Sequence, residues 1–261
     1  MTETLTAPAP FVAPLRPGAQ AWGRVVAFPH AGAGPYALLP LLRRLPPGID
    51  VVGVTLPGRE RRCAESPART ASDPAAVVAA VHQELAALPA VPTVLFGHSM
   101  GAALAAAVGA LAPGRYTAAV LSALPGHGSA AQRAGRWSDA ELVALLRAAG
   151  GTPEDVLSTP AWRAHLLAVL RSDLTLAVRL VALLDADDAV TTRRSRVPTT
   201  VLAGAADDVA RNPAAVLLAG ASALRTLPGG HFFLLDDGTA PAVAAVLADA
   251  LTAAPAHELL P

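Results

Sequence analysis

Val94-Leu95-Phe96-Gly97-His98-Ser99-Met100-Gly101-Ala102-Ala103 joins a short apolar run, a turn carrying one serine, and the start of an alanine-rich stretch. The apolar run reads as a buried strand and the alanines as a helix, which puts the serine on the turn between them. Glycines two residues either side of Ser99 complete Gly-x-Ser-x-Gly, a nucleophile elbow in which the serine Oγ is exposed on a strained strand-to-helix turn. Each glycine lets the backbone pass where a Cβ would strike a neighbouring element. With Ser99 at a helix N-terminus, the next N–H, that of Met100, is free to bond a developing oxyanion.

Strands alternate with helices on both sides of the elbow. Trp22 to Phe28, Asp50 to Thr55, Thr117 to Ser122, Thr199 to Ala203 and Leu224 to Leu227 read as strands. Helices are expected near Tyr36 to Leu45, from Pro74 with a stripe of Val77, Val81, Leu85 and Leu88, over 213–219, and from Ala240 to Leu251. This alternation predicts an α/β fold with a mostly parallel central sheet flanked by helices. Residues 1–20, rich in Pro, Ala and Thr, read as a flexible lead-in, and 21–124 with 197–255 as one core. Between them, 125–196 has helical signals and no strand, including the capping box Ser138-Asp139-Ala140-Glu141 and the stop Gly150-Gly151. A helical block interrupting a sheet is expected to form a lid.

Composition narrows the function. The formal net charge is zero, so no global field would recruit nucleic acid or an anionic membrane. All basic residues are Arg, and with the many Ala and Pro residues this points to a biased gene rather than a binding face, so the alanines carry little functional information. Cys63, the single cysteine, precludes an internal disulfide, and no Cys and His spacing suits zinc. Neither a signal peptide nor a membrane span is visible, and a soluble, cytoplasmic, monomeric protein is the expectation.

A serine hydroxyl needs a base within reach and a carboxylate to orient that base. In α/β hydrolases the chain order is Ser, acid, His, and Asp207 and His231 fit it, each in a loop after an expected strand. Asp208 is one residue of slip away from the acid position, and His30 is the rival imidazole, expected at most to touch substrate. Cys63, in an Arg-rich loop, is a weaker nucleophile candidate than Ser99. The small-residue loop Pro29-His30-Ala31-Gly32-Ala33-Gly34 is placed to supply a second oxyanion N–H, assigned to Ala31 beside Met100.

Five segments resemble the type II, stand-alone thioesterases of polyketide synthases and nonribosomal peptide synthetases. They are Phe28-Pro29-His30-Ala31-Gly32, Leu56-Pro57-Gly58-Arg59-Glu60, Gly97-His98-Ser99-Met100-Gly101-Ala102, Gly204-x-x-Asp207 and Gly229-Gly230-His231-Phe232-Phe233. Gly151-Thr152-Pro153 and Leu170-Arg171-Ser172-Asp173 are also similar. The resemblance implies an α/β-hydrolase fold with a helical lid and a Ser99, Asp207, His231 triad. It implies no bound cofactor, and an acyl group delivered on the phosphopantetheine arm of an acyl or peptidyl carrier protein. Two departures stand out: Asp208 replaces the family's usual Pro, and Ala123-Leu124-Pro125-Gly126-His127 replaces a segment that often contains Gly-Arg. Alternatives are an acyltransferase or cyclase that releases the chain to another nucleophile, and a non-catalytic carrier-binding module. Arg59, Arg61, Arg62, Arg193, Arg194 and Arg196 are candidates to steer an acidic carrier protein, with Arg59 and Glu60 otherwise pairing to brace their loop.

Overall fold

The computed structural model describes residues 9–18, 20–124, 137–150, 152–186, 197–210 and 221–252. Its strands are β1 Val12–Arg16, β2 Gly23–Phe28, β3 Ile49–Val54, β4 Thr93–His98, β5 Ala118–Ser122, β6 Thr199–Gly204 and β7 Ala223–Leu227. Helices are α1 Leu39–Leu42, α2 Ala68–Ser72, α3 Pro74–Ala86, α4 Met100–Leu111, α5 Asp139–Ala149, α6 Glu154–Ser158, α7 Pro160–Ala186 and α8 Ala240–Thr252. The helix expected over 213–219 lies outside the described residues.

The strands form one seven-stranded sheet in the order β1-β3-β2-β4-β5-β6-β7, parallel except for β1. Period-two alternation sends neighbouring side chains to opposite faces. Val26, Leu95, Leu121 and Val201 pack under α3, α4 and α7, whereas Val25, Val94, Val120 and Leu202 pack against α1 and α8. Because both faces are covered, β2, β4 and β5 are buried along their whole length and read as continuous apolar runs.

Every residue of α4 except Leu111 is buried. Its Ala and Gly residues make a thin rod that fits between the sheet and α7. The described residues of 139–186 fall in the three helices α5, α6 and α7, with Gly150, Thr152, Pro153 and Thr159 between them. The capping box forms as read, with Ser138 Oγ accepting from Glu141 N and the Glu141 carboxylate accepting from Ser138 N, and α5 stops at Gly150 at a φ of 76°.

The lead-in expected over residues 1–20 needs correction, because Val12–Arg16 is an edge strand antiparallel to β3. Two prolines, Pro14 and Pro17, and the lack of alternation conceal it. Groups far along the chain hold it in place. The Glu84 carboxylate on α3 accepts from Phe11 N at 3.0 Å and Val12 N at 2.7 Å, and the Arg62 guanidinium lies 3.9 Å over the Phe11 ring. Charge-assisted bonds of this kind are each worth about 1.5–3 kcal/mol when buried, less at a partly exposed site. Glu84→Ala should therefore lower stability by about 1–2 kcal/mol. Hydrogen exchange should show the amides of Phe11 and Val12 losing protection while those of β2 and β4 keep theirs.

Candidate active site

Ser99 sits between β4 and α4 with φ 55° and ψ −120°, a conformation L-residues rarely adopt. Two backbone bonds hold it, Ser99 N donating to Ser122 O at 2.8 Å and Ala102 N to Ser99 O at 2.9 Å. The flanking glycines do the steric work expected of them. A Cβ on Gly97 would lie 2.2 Å from Gly101 O, and one on Gly101 would lie 2.1 Å from Phe28 O. Met100 N–H is the first amide of α4, with no acceptor inside the helix.

Asp207 and His231 stand in the loops after β6 and β7. These loops are zipped together by Ala205 N to Leu227 O at 2.8 Å and Ala206 N to Gly229 O at 2.9 Å. A Cβ at Gly204 would come 2.5 Å from Gly230 O, so glycine is required for this approach. His231 Nδ1 lies 2.9 Å from Asp207 Oδ2 and 3.1 Å from Oδ1, with both side chains buried. Burial pushes the Asp207 carboxyl upward. The bond to His231, that ring's charge, and the Val209 and Ala210 amides outweigh it and hold the group below the ordinary carboxylate range. Asp207, not the exposed Asp208, is the carboxylate brought to the imidazole.

With Nδ1 engaged by Asp207, His231 keeps Nε2 for another partner. Ser99, His231, His30 and Ala31 line one cavity of about 390 Å³. No hydrogen bond joins Ser99 to His231, a contact that commonly tightens only when substrate binds. The remaining walls are apolar and come largely from α5, α6 and α7, including Leu145, Val156, Leu166, Leu170 and Leu174, with Phe232 opposite. Exposed Cys63 is not among the lining residues. Among the described residues no cluster of three or more His, Cys, Asp or Glu side chains is arranged to hold a metal, and no helix is long and apolar enough to cross a membrane.

Two further imidazoles crowd the site. The His98 ring is 5.0 Å from that of His231 and 5.7 Å from that of His30, and His30 meets Phe232 edge-on at 4.7 Å. His98 Nδ1 pairs with Ser122 Oγ at 3.1 Å, a contact set by the β4–β5 register. Burial first, then the neighbouring His231, drives His98 well below the usual imidazole range. His30 is driven down to about 3, by burial, then His231, then Arg59. Both are therefore neutral at neutral pH.

Of the arginines named as candidates to steer a carrier protein, two that are described are internal and one, Arg61, is exposed. Arg59 and Arg62 are buried and paired with Asp173 and Glu65, and Arg61 donates to Thr55 Oγ1 and to the backbone of residues 10–11. Arg193, Arg194 and Arg196 lie outside the described residues. Nor do Arg59 and Glu60 pair with each other: Glu60 instead accepts from Tyr36 N at 3.2 Å. Asp173 entered the sequence reading only as the end of the similar segment Leu170-Arg171-Ser172-Asp173, with no role assigned to it. Its signal was a lone carboxylate among Leu167, Leu170 and Leu174 on an apolar helix.

Comparison with known proteins identifies the family and the fold. The thioesterase domain family matches residues 23–251. The probable cadicidin biosynthesis thioesterase of Streptomyces griseus is 31% identical over 231 residues, covering 81% of this chain, which spans 58% of that relative's length. The RedJ thioesterase of the prodiginine pathway in Streptomyces coelicolor is 28% identical with a TM-score of 0.68, over 93% of this chain and 91% of its own. BorB, the type II thioesterase of the borrelidin cluster, is 26% identical with a TM-score of 0.67, over 94% of this chain and 99% of its own.

The neutral imidazoles predict a pH dependence. His30 titrates near 6.5 when unfolded and near 3 when folded, so below about 6.5 the unfolded state binds the extra proton and the native state loses stability. The loss has a limiting slope of about 1.4 kcal/mol per pH unit for one such group. His30→Asn should flatten the dependence of denaturation midpoint on pH between about 6.5 and 4, leaving the part due to His98. An unchanged slope would show that His30 does not titrate across this window. By sequence, fold and site architecture, the chain belongs to the thioesterase family of α/β hydrolases.

Proposed function

We propose that the protein is a serine thioesterase that hydrolyses acyl groups from the phosphopantetheine arm of acyl or peptidyl carrier proteins, clearing stalled or aberrant chains from a polyketide or nonribosomal peptide synthase. The observation that carries this reading is a buried Asp207–His231 pair opening with Ser99 on one apolar cavity. An acyl chain fits such walls, and a neutral, weakly charged site suits an uncharged thioester. The protein is read as a cytoplasmic monomer that meets the carrier only transiently.

In the first half-reaction His231 Nε2 takes the Ser99 Oγ proton as Oγ attacks the thioester carbonyl carbon. Asp207 holds the imidazole in the tautomer with its proton on Nδ1 and stabilises the imidazolium. Met100 and Ala31 N–H groups receive the oxyanion at the mouth of the cavity. The C–S bond then breaks, the thiol leaves with the proton from His231, and an acyl-Ser99 ester remains. Water attacks this ester in the second half with His231 again as base, the acyl carbon–Oγ bond breaks as His231 returns the proton to Ser99 Oγ, and the free acid departs.

A second, more polar cavity of about 270 Å³, lined by Asp208, Gly230 and Asp236, also reaches His231. It supports water as acceptor over an amine or alcohol held in an apolar site. Helices α5 to α7 are read as the lid over the acyl cavity, and His30 as a neutral wall of that cavity that touches substrate.

Ser99→Ala should lower turnover of an acyl thioester by roughly 10³-fold or more with the fold intact. Asp207→Asn should lower it by a comparable factor by releasing the imidazole tautomer. Mass analysis of the product from a defined acyl carrier should show the free acid, and a fluorophosphonate should label Ser99. Near-normal turnover in Ser99→Ala would end the serine mechanism.

A further inference from the structure

We propose that Asp173 and Arg59 are positioning residues for the oxyanion loop, joining α7 to residues 31–33 so that Ala31 N–H is aimed at the Ser99 adduct. The inference rests on the hydrolase reading above. The Asp173 carboxylate is fully buried and receives three donors. Arg59 Nη1 and Nη2 reach its two oxygens at 2.6 and 2.7 Å in a two-pronged contact, and Gly32 N–H reaches Oδ2 at 2.7 Å. Arg59 Nη1 also donates to Ala33 O at 3.0 Å. The pair thus grips one backbone donor and one backbone acceptor of adjacent loop residues.

This grip bears on the reaction in two ways. Gly32 N–H is consumed by Asp173, so the neighbouring Ala31 N–H is left for the oxyanion, and fixing the 31–32 peptide limits the directions in which residue 31 can turn. Gly32 stands at φ +85°, where an untethered loop has many alternatives. Glu60 accepts from Tyr36 N just beyond the loop, so the adjacent residues Arg59 and Glu60 both hold its C-terminal side.

A brace alone would not call for charges. A buried ion pair is commonly no better for stability than apolar residues of similar volume. What an apolar pair cannot do is accept from Gly32 N–H. Asp173 also lies on the helical face of Leu166, Leu170 and Leu174, which line the cavity. One helix face therefore touches the space for the acyl chain and fixes the oxyanion loop.

Losing a well-aimed oxyanion donor costs about 10²–10³ in kcat, and misaiming one costs less. Asp173→Asn should lower kcat on a short acyl thioester by about 10- to 100-fold with KM changed less than about threefold. An acyl trifluoromethyl ketone, which forms a tetrahedral adduct on Ser99, should lose affinity by a similar factor. The double variant Arg59→Met with Asp173→Leu should fold with near-normal thermal stability and remain as impaired. Recovery of both stability and turnover in the double variant would overturn the proposal, as would a folded Asp173→Asn with normal kcat and ketone affinity. Should Asp173→Asn fail to fold, Arg59→Lys, which keeps the charge but loses the fork, is measured the same way. Absence of turnover in the unaltered protein would overturn the hydrolase reading instead, while ketone affinity would still report on the loop.

Discussion

The site depends on one close approach, that of the first turn of α4 to the end of β2. Phe28 O lies 2.1 Å and Pro29 O 2.5 Å from where a Gly101 Cβ would be. The oxyanion loop leaves the sheet at that same point, so the spacing between the elbow and the loop is set by the absence of one side chain. Ser99 is held at a positive φ as a result, at a cost on the order of 1–3 kcal/mol that the surrounding contacts offset. Any residue larger than glycine at 101 would push the first turn of α4, and Ser99 with it, away from the loop after β2 that is proposed to carry the second oxyanion donor.

The central sheet and the principal polar site residues were legible because local rules and global fold agree there. Ser99 is marked by glycine spacing, Asp207 and His231 by position after apolar strands, and the α5 start by its capping box, all within a few residues of sequence. β1 was not legible, because its stability comes from Glu84, Arg61 and Arg62, at least fifty residues away, rather than from its own pattern. The burial of Arg59 was hidden for the same reason, since Asp173 lies 114 residues along the chain, whereas Arg62 pairs with Glu65 only three residues on. A run of Arg59, Arg61 and Arg62 looks like a charged surface until the fold delivers a carboxylate to each buried guanidinium. Asp207 and Asp208 were separated only by the turn that points one inward toward His231 and leaves the other exposed.

The helices over the cavity show how composition and function become linked. A helix as central as α4 would ordinarily carry large side chains, yet Ala102, Ala103, Ala105, Ala106 and Ala107 keep it narrow. That lets α7 lie close enough for Asp173 to reach the oxyanion loop while Leu166 and Leu170 face the cavity. Replacing the alanines with larger residues would fill the core equally well and push α7 away. Small residues matter here for the distance they permit, not for any contact they make.

Charge is distributed with similar economy. In the proposed mechanism proton transfer from Ser99 creates an imidazolium at His231, and two other imidazoles lie with ring centres within 5–6 Å of His231 or of each other. If either carried a proton, it would oppose that imidazolium in a medium that screens charge poorly. Burial keeps both neutral, and Asp207, drawn below the ordinary carboxylate range, remains the anion in direct contact with the ring. A cluster of three histidines would be a liability in water. In this enclosed site the same packing leaves one ring free for the proposed proton transfers, with His30 an uncharged wall of the cavity and His98 an uncharged neighbour behind it.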